Sequence, residues 1–133
     1  MTKAAMVRNA EAGVANARRL VVKIGSVLLV EPDSGAIRRD WLDGLCDDII
    51  ALRARGTEVV LVSSGAIAVG RQLLGIERDG LMLEEKQASA AIGQIRLAHA
   101  WQEALARHDV TVAQVLLTLA DTEERRRHLN ARN

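Results

Sequence analysis

Two short apolar runs, each followed at once by glycine or serine, set the strongest limit on how this chain can fold. The first run spans residues 20–24 (LVVKI) and precedes Gly25, and the second spans residues 58–62 (EVVLV) and precedes Ser63. Their length and β-branched residues predict two buried strands. Because a helical pattern separates them, we predict a strand–helix–strand unit whose strands are parallel.

The helix between the two strands is indicated by its ends and by its apolar positions. It follows a predicted loop over residues 30–39, which holds the only proline of the chain, and Asp40 is its predicted N-cap. Gly56 is predicted to end it. Its apolar residues recur at helical spacing: Leu42, Leu45, Ile49 and Leu52.

The remaining segments continue the alternation of helices and strands. A helix is predicted between Ser64 and Gly75, a long helix over residues 84–107, a third strand over residues 111–117, and a last helix from Asp121. This order predicts an α/β fold with a parallel sheet and helices on its faces. The predicted packing face of the long helix carries Ala88, Ala91, Ile95, Ala98, Trp101 and Leu105.

The small residues of the long helix predict close packing. Its many alanines and Gly93 would allow a neighbouring helix to approach its backbone. The end of the chain gives a second expectation. Three strands are few for a sheet of this class, and the last helix still continues at Asn133. We therefore expect residues 19–133 to be the N-terminal part of a larger domain, preceded by a flexible tail over residues 1–18.

Charge and cysteine content exclude several classes of protein. The net charge is +1 with both signs interspersed, so no nucleic-acid partner is expected. The single cysteine, Cys46, can form neither an internal disulfide nor a cysteine zinc cluster, and a reducing cytoplasmic location is expected. No apolar run approaches the ~20 residues of a membrane span. The three histidines share no metal-ligand spacing, so no protein metal site is predicted.

The first candidate for chemistry is the end of the first strand. Lys23 interrupts an otherwise apolar run, and a buried charge is costly unless it is paired or used. Gly25 and Ser26, which follow, could offer backbone N–H groups and a hydroxyl to an anion. The alternative interpretation is a lysine on an edge strand, or one that extends to water.

The second candidate is the end of the second strand, at Ser64, Gly65 and Ala66. Ligands of open parallel sheets bind outside the carboxyl ends of the strands. A helix that starts there would present free N–H groups and the positive end of its dipole to an anion. The alternative is that the serine only caps the helix. A phosphate loop is not expected, because GAIAVGRQ lacks the lysine and hydroxyl residue that such a loop requires.

Four segments together resemble the glutamate 5-kinase group of the amino acid kinase family. They are VVKIGS (residues 21–26), VSSGAIAVGRQLLG (residues 62–75), KQASAAIGQIRL (residues 86–97), and QVLLTLAD with LNAR (residues 114–121 and 129–132). The resemblance covers residues 19–133. The lysine–glycine–serine strand end is shared widely in that family, whereas the second and third segments are much more specific.

The resemblance implies a three-layer αβα sandwich around a mainly parallel sheet. It also implies transfer of the γ-phosphoryl group of ATP, with Mg²⁺, to the side-chain carboxylate of L-glutamate, giving glutamyl 5-phosphate for proline biosynthesis. Lys23 would contact the transferring phosphoryl group as the catalytic residue, and Gly25 and Ser26 would bind the ATP phosphates beside it. The glutamate would be bound by Ser64, Gly65 and Ala66.

The chain departs from the pattern of the group at single positions and in length. Val27 stands where a second small hydroxyl residue is usual, and His128 stands where an aromatic residue is usual. The nucleotide-binding half and further glutamate contacts of the family have no counterpart here, so the chain alone is expected to be inactive. The full-length protein is expected to be a homo-oligomer. Two alternatives remain: a family member that phosphorylates another small carboxylate or phosphate, and a non-catalytic fragment.

Overall fold

The strand–helix–strand unit predicted from the sequence is present. In a computed structural model, which describes residues 13–77 and 80–133, β1 (Arg19–Ile24) and β2 (Glu58–Ser63) form a two-stranded parallel sheet. The register runs from Arg19 opposite Glu58 to Ile24 opposite Ser63. The carboxyl ends of both strands therefore lie side by side.

After β1, the described part of the chain forms six helices. Among them, α2 and α4 are long, whereas α1 and α5 have about one turn each. Their bounds are α1 (Ser26–Leu29), α2 (Arg39–Ala54), α3 (Ala66–Leu73), α4 (Leu83–Ala106), α5 (Leu119–Glu123) and α6 (Arg125–Arg132).

Helices α2 and α4 pack on one face of the sheet. Alternate strand residues, such as Val22 and Leu61, face the core, because successive side chains of a strand point to opposite faces. On the other face Val21 is 60% exposed and Val62 46%. The two strands are thus half-buried, and the prediction of fully buried strands is wrong for the described residues. The α/β class is confirmed, and a sheet with one helical layer agrees with part of the predicted three-layer sandwich.

The core forms where α2 and α4 meet the sheet. Helix α2 begins at Arg39, one residue before the predicted cap Asp40, and its N-cap Arg38 makes no side-chain capping bond. Gly56 ends the helix as predicted, with a φ of 86°. Cys46, which the pattern did not mark, is completely buried. The buried apolar residues are Ile24, Leu29, Val30, Leu42, Cys46, Ile49, Val69, Leu97, Ala100, Trp101, Ala104 and Leu105.

Glycines set the distance between α3 and α4. A Cβ atom added at Gly93 would overlap the backbone oxygen of Ala66, and one added at Gly70 would overlap the backbone of Ser89. The predicted close approach is therefore confirmed, but the predicted packing face is rotated, since Ile95 is 73% exposed. The buried residues of α4 are Ser89, Gly93, Leu97, Ala100, Trp101, Ala104 and Leu105.

The predicted third strand is absent from the described residues. Residues 111–117 form no strand pairing, and Val115 and Leu116 are 74% and 73% exposed. Their sequence suits a strand, but a strand forms only where a neighbour accepts its backbone hydrogen bonds. The predicted last helix starts two residues before Asp121 and is interrupted at Glu124, where the backbone is extended, so that it forms α5 and α6.

The N-terminal tail predicted for residues 1–18 is only partly described. Its first twelve residues lie outside the described ranges. Close to β1, the Ala17 carbonyl accepts a hydrogen bond from the Thr57 hydroxyl at 3.3 Å, and the Arg18 carbonyl accepts one from the Glu58 N–H at 2.8 Å. None of the helices in the described ranges has the length and apolar character to cross a membrane.

Candidate active site

The two predicted site segments lie next to each other at the carboxyl edge of the sheet. Ile24 and Ser63 are opposite partners in the last rung of the parallel pairing. One residue further on, the Ser64 N–H donates to the Ile24 carbonyl at 3.0 Å. Gly25 and Ser26 therefore leave the sheet beside Ser64 and Gly65, at the edge where ligands of parallel sheets bind.

Gly65 brings these two segments into contact. Its φ is +123°, a conformation that side-chain-bearing residues rarely adopt. A Cβ atom there would also lie 3.1 Å from Val30 Cγ2 and 3.9 Å from Ser26 Cβ. Both the conformation and the lack of space require glycine. The resulting close approach places Ser26 directly against the turn that follows Ser64.

Lys23 lies on the exposed face of β1 and not in the core. The strand alternates between exposed and packed residues, and Lys23 shares the exposed face with Val21. Because Lys23 is exposed, its charge carries no burial cost that a function would have to offset. Its ammonium group extends toward the strand end, however, since Nζ is 3.8 Å from the position of a Cβ atom on Gly25. No described carboxylate forms an ion pair with it.

The two serines at the end of β2 have different surroundings. The Ser63 hydroxyl accepts a hydrogen bond from Trp101 Nε1 at 3.1 Å and donates to the Ser64 carbonyl at 3.3 Å. The Ser64 hydroxyl makes no hydrogen bond with any described residue. Ser63 therefore bonds within the protein, whereas the Ser64 hydroxyl is free of partners among residues 13–77 and 80–133. Trp101 had no functional role in the sequence analysis, because only the pairing of Ser63 with a distant helix reveals it.

Helix α3 begins at the same edge without a side-chain cap. Its N-cap is Gly65, and the first intrahelical bond runs from the Val69 N–H to the Gly65 carbonyl at 3.0 Å. The alternative in which Ser64 caps the helix is thus not what the structure shows. The N–H groups of Ala66 and the two following residues precede that bond and point toward the helix start. They favour an anion there, as does the helix dipole.

A separate groove of about 180 Å³ lies between the loop after α1 and helices α3 and α4. Arg39 and His99 at this groove both bind Glu103, at 2.7 and 3.3 Å. The hydrogen bond from Arg39, followed by the charge of His99, lowers the pKa of Glu103. The positive charge of the groove is therefore partly neutralised by the protein itself. No predicted site residue lines it; its lining residues are Gly35, Ala36, Ile37, Arg39, Val69, Gln72, Leu73, Arg96 and His99.

The only cysteine is not a candidate nucleophile. Cys46 is buried in α2, and burial, with the nearby charges of Asp43 and Asp47, raises the pKa of its thiol to about 11. At neutral pH it stays protonated, and the thiol is a poor nucleophile in that form. Within the described ranges, no three histidine, cysteine or acidic residues cluster closely enough to bind a metal ion.

Comparison with known proteins gives a consistent family. Residues 18–133 match the model of the amino acid kinase family. The chain is 65% identical over 120 residues to a glutamate 5-kinase of Paramagnetospirillum magneticum, covering 90% of this chain and 32% of the relative. It is 58% identical over 119 residues to a glutamate 5-kinase of Agrobacterium fabrum, covering 90% of this chain and 30% of the relative. The chain thus spans about a third of the length of the curated relatives it matches. With a family match over nearly all of its length, the chain belongs to the amino acid kinase family.

Proposed function

We propose that this chain is the acceptor-binding and phosphate-binding part of an ATP-dependent kinase that phosphorylates the side-chain carboxylate of L-glutamate. The product would be glutamyl 5-phosphate, which supplies proline biosynthesis in the cytoplasm. The observation that supports this most directly is the pairing of Ile24 with Ser63, which places Lys23 and the free Ser64 hydroxyl at one edge of the sheet. The names of the similar proteins agree with it.

Each residue of this edge has a distinct part in the proposed reaction. A carboxylate oxygen of glutamate attacks the γ-phosphorus of ATP, the bond to the β,γ-bridging oxygen breaks, and ADP leaves with the electron pair. The carboxylate is already ionised at neutral pH, so no general base is needed. Lys23 would stabilise the negative charge on the phosphoryl oxygens, and Gly25 and Ser26 would bind phosphate beside it. Ser64, Gly65 and Ala66 would bind the glutamate through a hydroxyl and N–H groups.

Two cofactors are implied, and the described residues fit them differently. Lys23 with the free N–H groups at the edge fits the phosphates of ATP, since cationic and N–H donors bind phosphate oxygens. Mg²⁺ supplies charge neutralisation in such reactions, but the described residues contain no acidic cluster that would bind it. No step of the proposal is therefore derived from a protein-bound metal ion.

The proposal is testable in a fusion protein. This chain would replace the matching N-terminal third of the Paramagnetospirillum magneticum glutamate 5-kinase, and ADP release would be measured with ATP, Mg²⁺ and glutamate. Lys23→Met should lower kcat about 10²–10³-fold, because it removes a donor that acts in the transition state. Ser64→Ala should mainly raise the KM for glutamate, by a factor that corresponds to about 1.5–3 kcal/mol for one hydrogen bond to a charged group.

Matched variants control for nonspecific effects of these substitutions. Lys86→Met removes another exposed lysine near the start of α4, and Ser89→Ala removes a buried hydroxyl without a described partner. Both should leave the kinetics close to those of the unaltered fusion. The 133-residue chain by itself should show no glutamate-dependent turnover above its Lys23→Met variant. Retention of more than a tenth of kcat in the Lys23→Met fusion would contradict the catalytic role.

The acceptor itself needs a separate measurement. The family includes kinases of other small carboxylates and phosphates, and the one side-chain group proposed here to bind the acceptor, the Ser64 hydroxyl, would suit several of them. A panel of small carboxylates and phosphates, assayed at equal concentration in the fusion, would distinguish glutamate from these alternatives. A higher kcat/KM for another acceptor would exclude L-glutamate as the preferred substrate.

A further inference from the structure

A hydrogen-bonded chain connects the C-terminal part of α4 to the peptide group of Ser64. The indole N–H of Trp101 donates to the Ser63 hydroxyl at 3.1 Å, and that hydroxyl donates to the Ser64 carbonyl at 3.3 Å. Trp101 is only 6% exposed, so its N–H has little access to water. A buried indole N–H without an acceptor is costly, which favours this bond in the folded protein.

The Ser64 residue is thereby fixed on both sides. Its N–H donates to the Ile24 carbonyl at 3.0 Å, and its carbonyl accepts from the Ser63 hydroxyl. The next residue, Gly65, has a φ of +123° and begins the turn into α3. The backbone from which the Ser64 hydroxyl projects is therefore held by Ile24 on one side and by Ser63, which binds Trp101, on the other.

The connection depends on the polar atom of the tryptophan and not only on its size. An aromatic ring of similar shape could fill most of the same space in the core, but it could not donate to Ser63. The other tryptophan, Trp41, lies at the start of α2, is 37% exposed, and forms no hydrogen bond with a described residue. The chain therefore contains a matched control for the loss of an indole ring.

We propose that Trp101 is a positioning residue for the acceptor site, and that it acts through the Ser63 hydroxyl to orient Ser64. This inference rests on the proposed function for its kinetic consequence, but its structural part does not. Trp101 connects to this site through its hydrogen bond to Ser63. Because Trp101 belongs to α4, this hydrogen bond makes the geometry of the acceptor site depend on where α4 packs against the sheet.

The test uses the fusion protein described above, with Trp101→Phe, Ser63→Ala and their combination. Each single change removes a link of the same chain, so each should raise the KM for glutamate about three- to tenfold, the effect of one ordinary hydrogen bond. The KM for ATP should stay unchanged. The double variant should be no worse than either single variant, because the two changes break one connection. Ser63→Thr, which keeps the hydroxyl, should restore the KM, and Trp41→Phe should leave it unaltered.

Hydrogen exchange separates failure of this inference from failure of the proposed function. Trp101→Phe should speed exchange in peptides that contain Ser64 and Gly65, and Trp41→Phe should not, whatever reaction the protein catalyses. If the unaltered fusion shows no glutamate-dependent turnover but this exchange difference appears, the proposed function is wrong and the positioning contact stands. If turnover is normal while Trp101→Phe changes neither the KM for glutamate nor the exchange, the positioning role is excluded.

Discussion

The crossing of α3 and α4 and the segment after α4 use apolar residues in opposite ways. At the crossing, Gly70 and Gly93 let the two backbones meet, and Val69, Ser89 and Leu97 beside them are buried. In residues 111–119 the side chains are larger and more apolar, yet Val115, Leu116 and Leu119 are exposed. Hydrophobicity alone therefore does not bury a segment. Burial requires a partner surface whose shape admits close contact.

The largest expected effect comes from removing the space at the crossing. Gly93→Ala should lower the free energy of unfolding by about 3 kcal/mol or more, because the new methyl group overlaps the Ala66 backbone oxygen and neither backbone can move independently. Gly44→Ala is the control: it lies within α2 with no atom near its Cβ position, so it should raise stability by about 0.5–1 kcal/mol. Urea denaturation would measure both, and equal stabilities for the two variants would contradict the close crossing.

The second effect is the slow chemical labelling of the Cys46 thiol, which is buried in the core. Cys46 is buried, and its thiol pKa is raised to about 11 from 9.0, so its thiolate fraction at neutral pH should be about a hundredfold lower than that of an unperturbed thiol. Labelling with iodoacetamide should be slow in the native protein and become fast only in denaturant. Rapid labelling at pH 7 without denaturant would show that α2 opens readily, and a Cys46→Ala sample gives the blank.

The third effect concerns the exposed apolar side chains of residues 111–119. At high protein concentration the isolated chain should associate through its exposed apolar surfaces. Leu116→Lys with Leu119→Lys should weaken that association about tenfold or more, since two leucines stop contributing to a contact surface. Light scattering after size-exclusion chromatography would give the mass. Gln87→Lys with Gln102→Lys, at exposed polar positions of α4, is a control for added charge. A monomeric unaltered chain that unfolds cooperatively would contradict the expectation.

The smallest effect is a difference in acid sensitivity between Glu103, in α4, and Asp121, in the segment after α4. Hydrogen bonds from Arg39 and then the charge of His99 lower the pKa of Glu103, whereas hydrogen bonds from Thr118 lower the pKa of Asp121. Each carboxylate therefore stabilises its contact above its ordinary pKa, 4.5 for Glu103 and 3.8 for Asp121, and loses that contribution as the pH falls through the lowered value.

The consequence differs because the contacts differ. Glu103 connects α4 to α2, so its protonation should affect global unfolding slightly. Asp121 caps α5 and lies 3.9 Å from Arg127 of α6, so its protonation should act only on these two short helices. Acid titration followed by urea denaturation, and by NMR shifts of residues 118–123, would separate the two. Glu103→Gln and Thr118→Val should each remove one response and leave the other. Loss of both acid responses in either variant would show that the Glu103 and Asp121 contacts are coupled.

Sequence reasoning succeeded where local signals and long-range structure agree. The two strands, their parallel pairing, the long helices and the stop at Gly56 followed from periodicity, β-branching and glycine. The third strand failed because strand formation depends on a neighbour that local sequence does not reveal. The packing face of α4 failed because alanines surround that helix, so the pattern did not distinguish the side near Gly93 from the side near Ile95.

The candidate site was predictable to the level of its two segments. Glycine and serine after each strand indicated them, and parallel pairing placed them together. The link from Trp101 to Ser63 was not predictable, because it joins residues that are 38 positions apart and depends on the exact approach of α4. Family resemblance assigned Ser64 but gave no reason for the serine before it.

The parallel pairing of β1 and β2 also determines when the candidate site can form during folding. Paired residues of the two strands are 39 positions apart, and the whole of α2 lies between them. Closing a loop of that length costs about 3 kcal/mol of chain entropy before any contact in the sheet is gained. During synthesis, Lys23 emerges well before Ser64, so the edge cannot form until α2 has returned the chain to β1. A ligand that binds this edge would therefore stabilise the loop closure itself and act on folding as well as on chemistry.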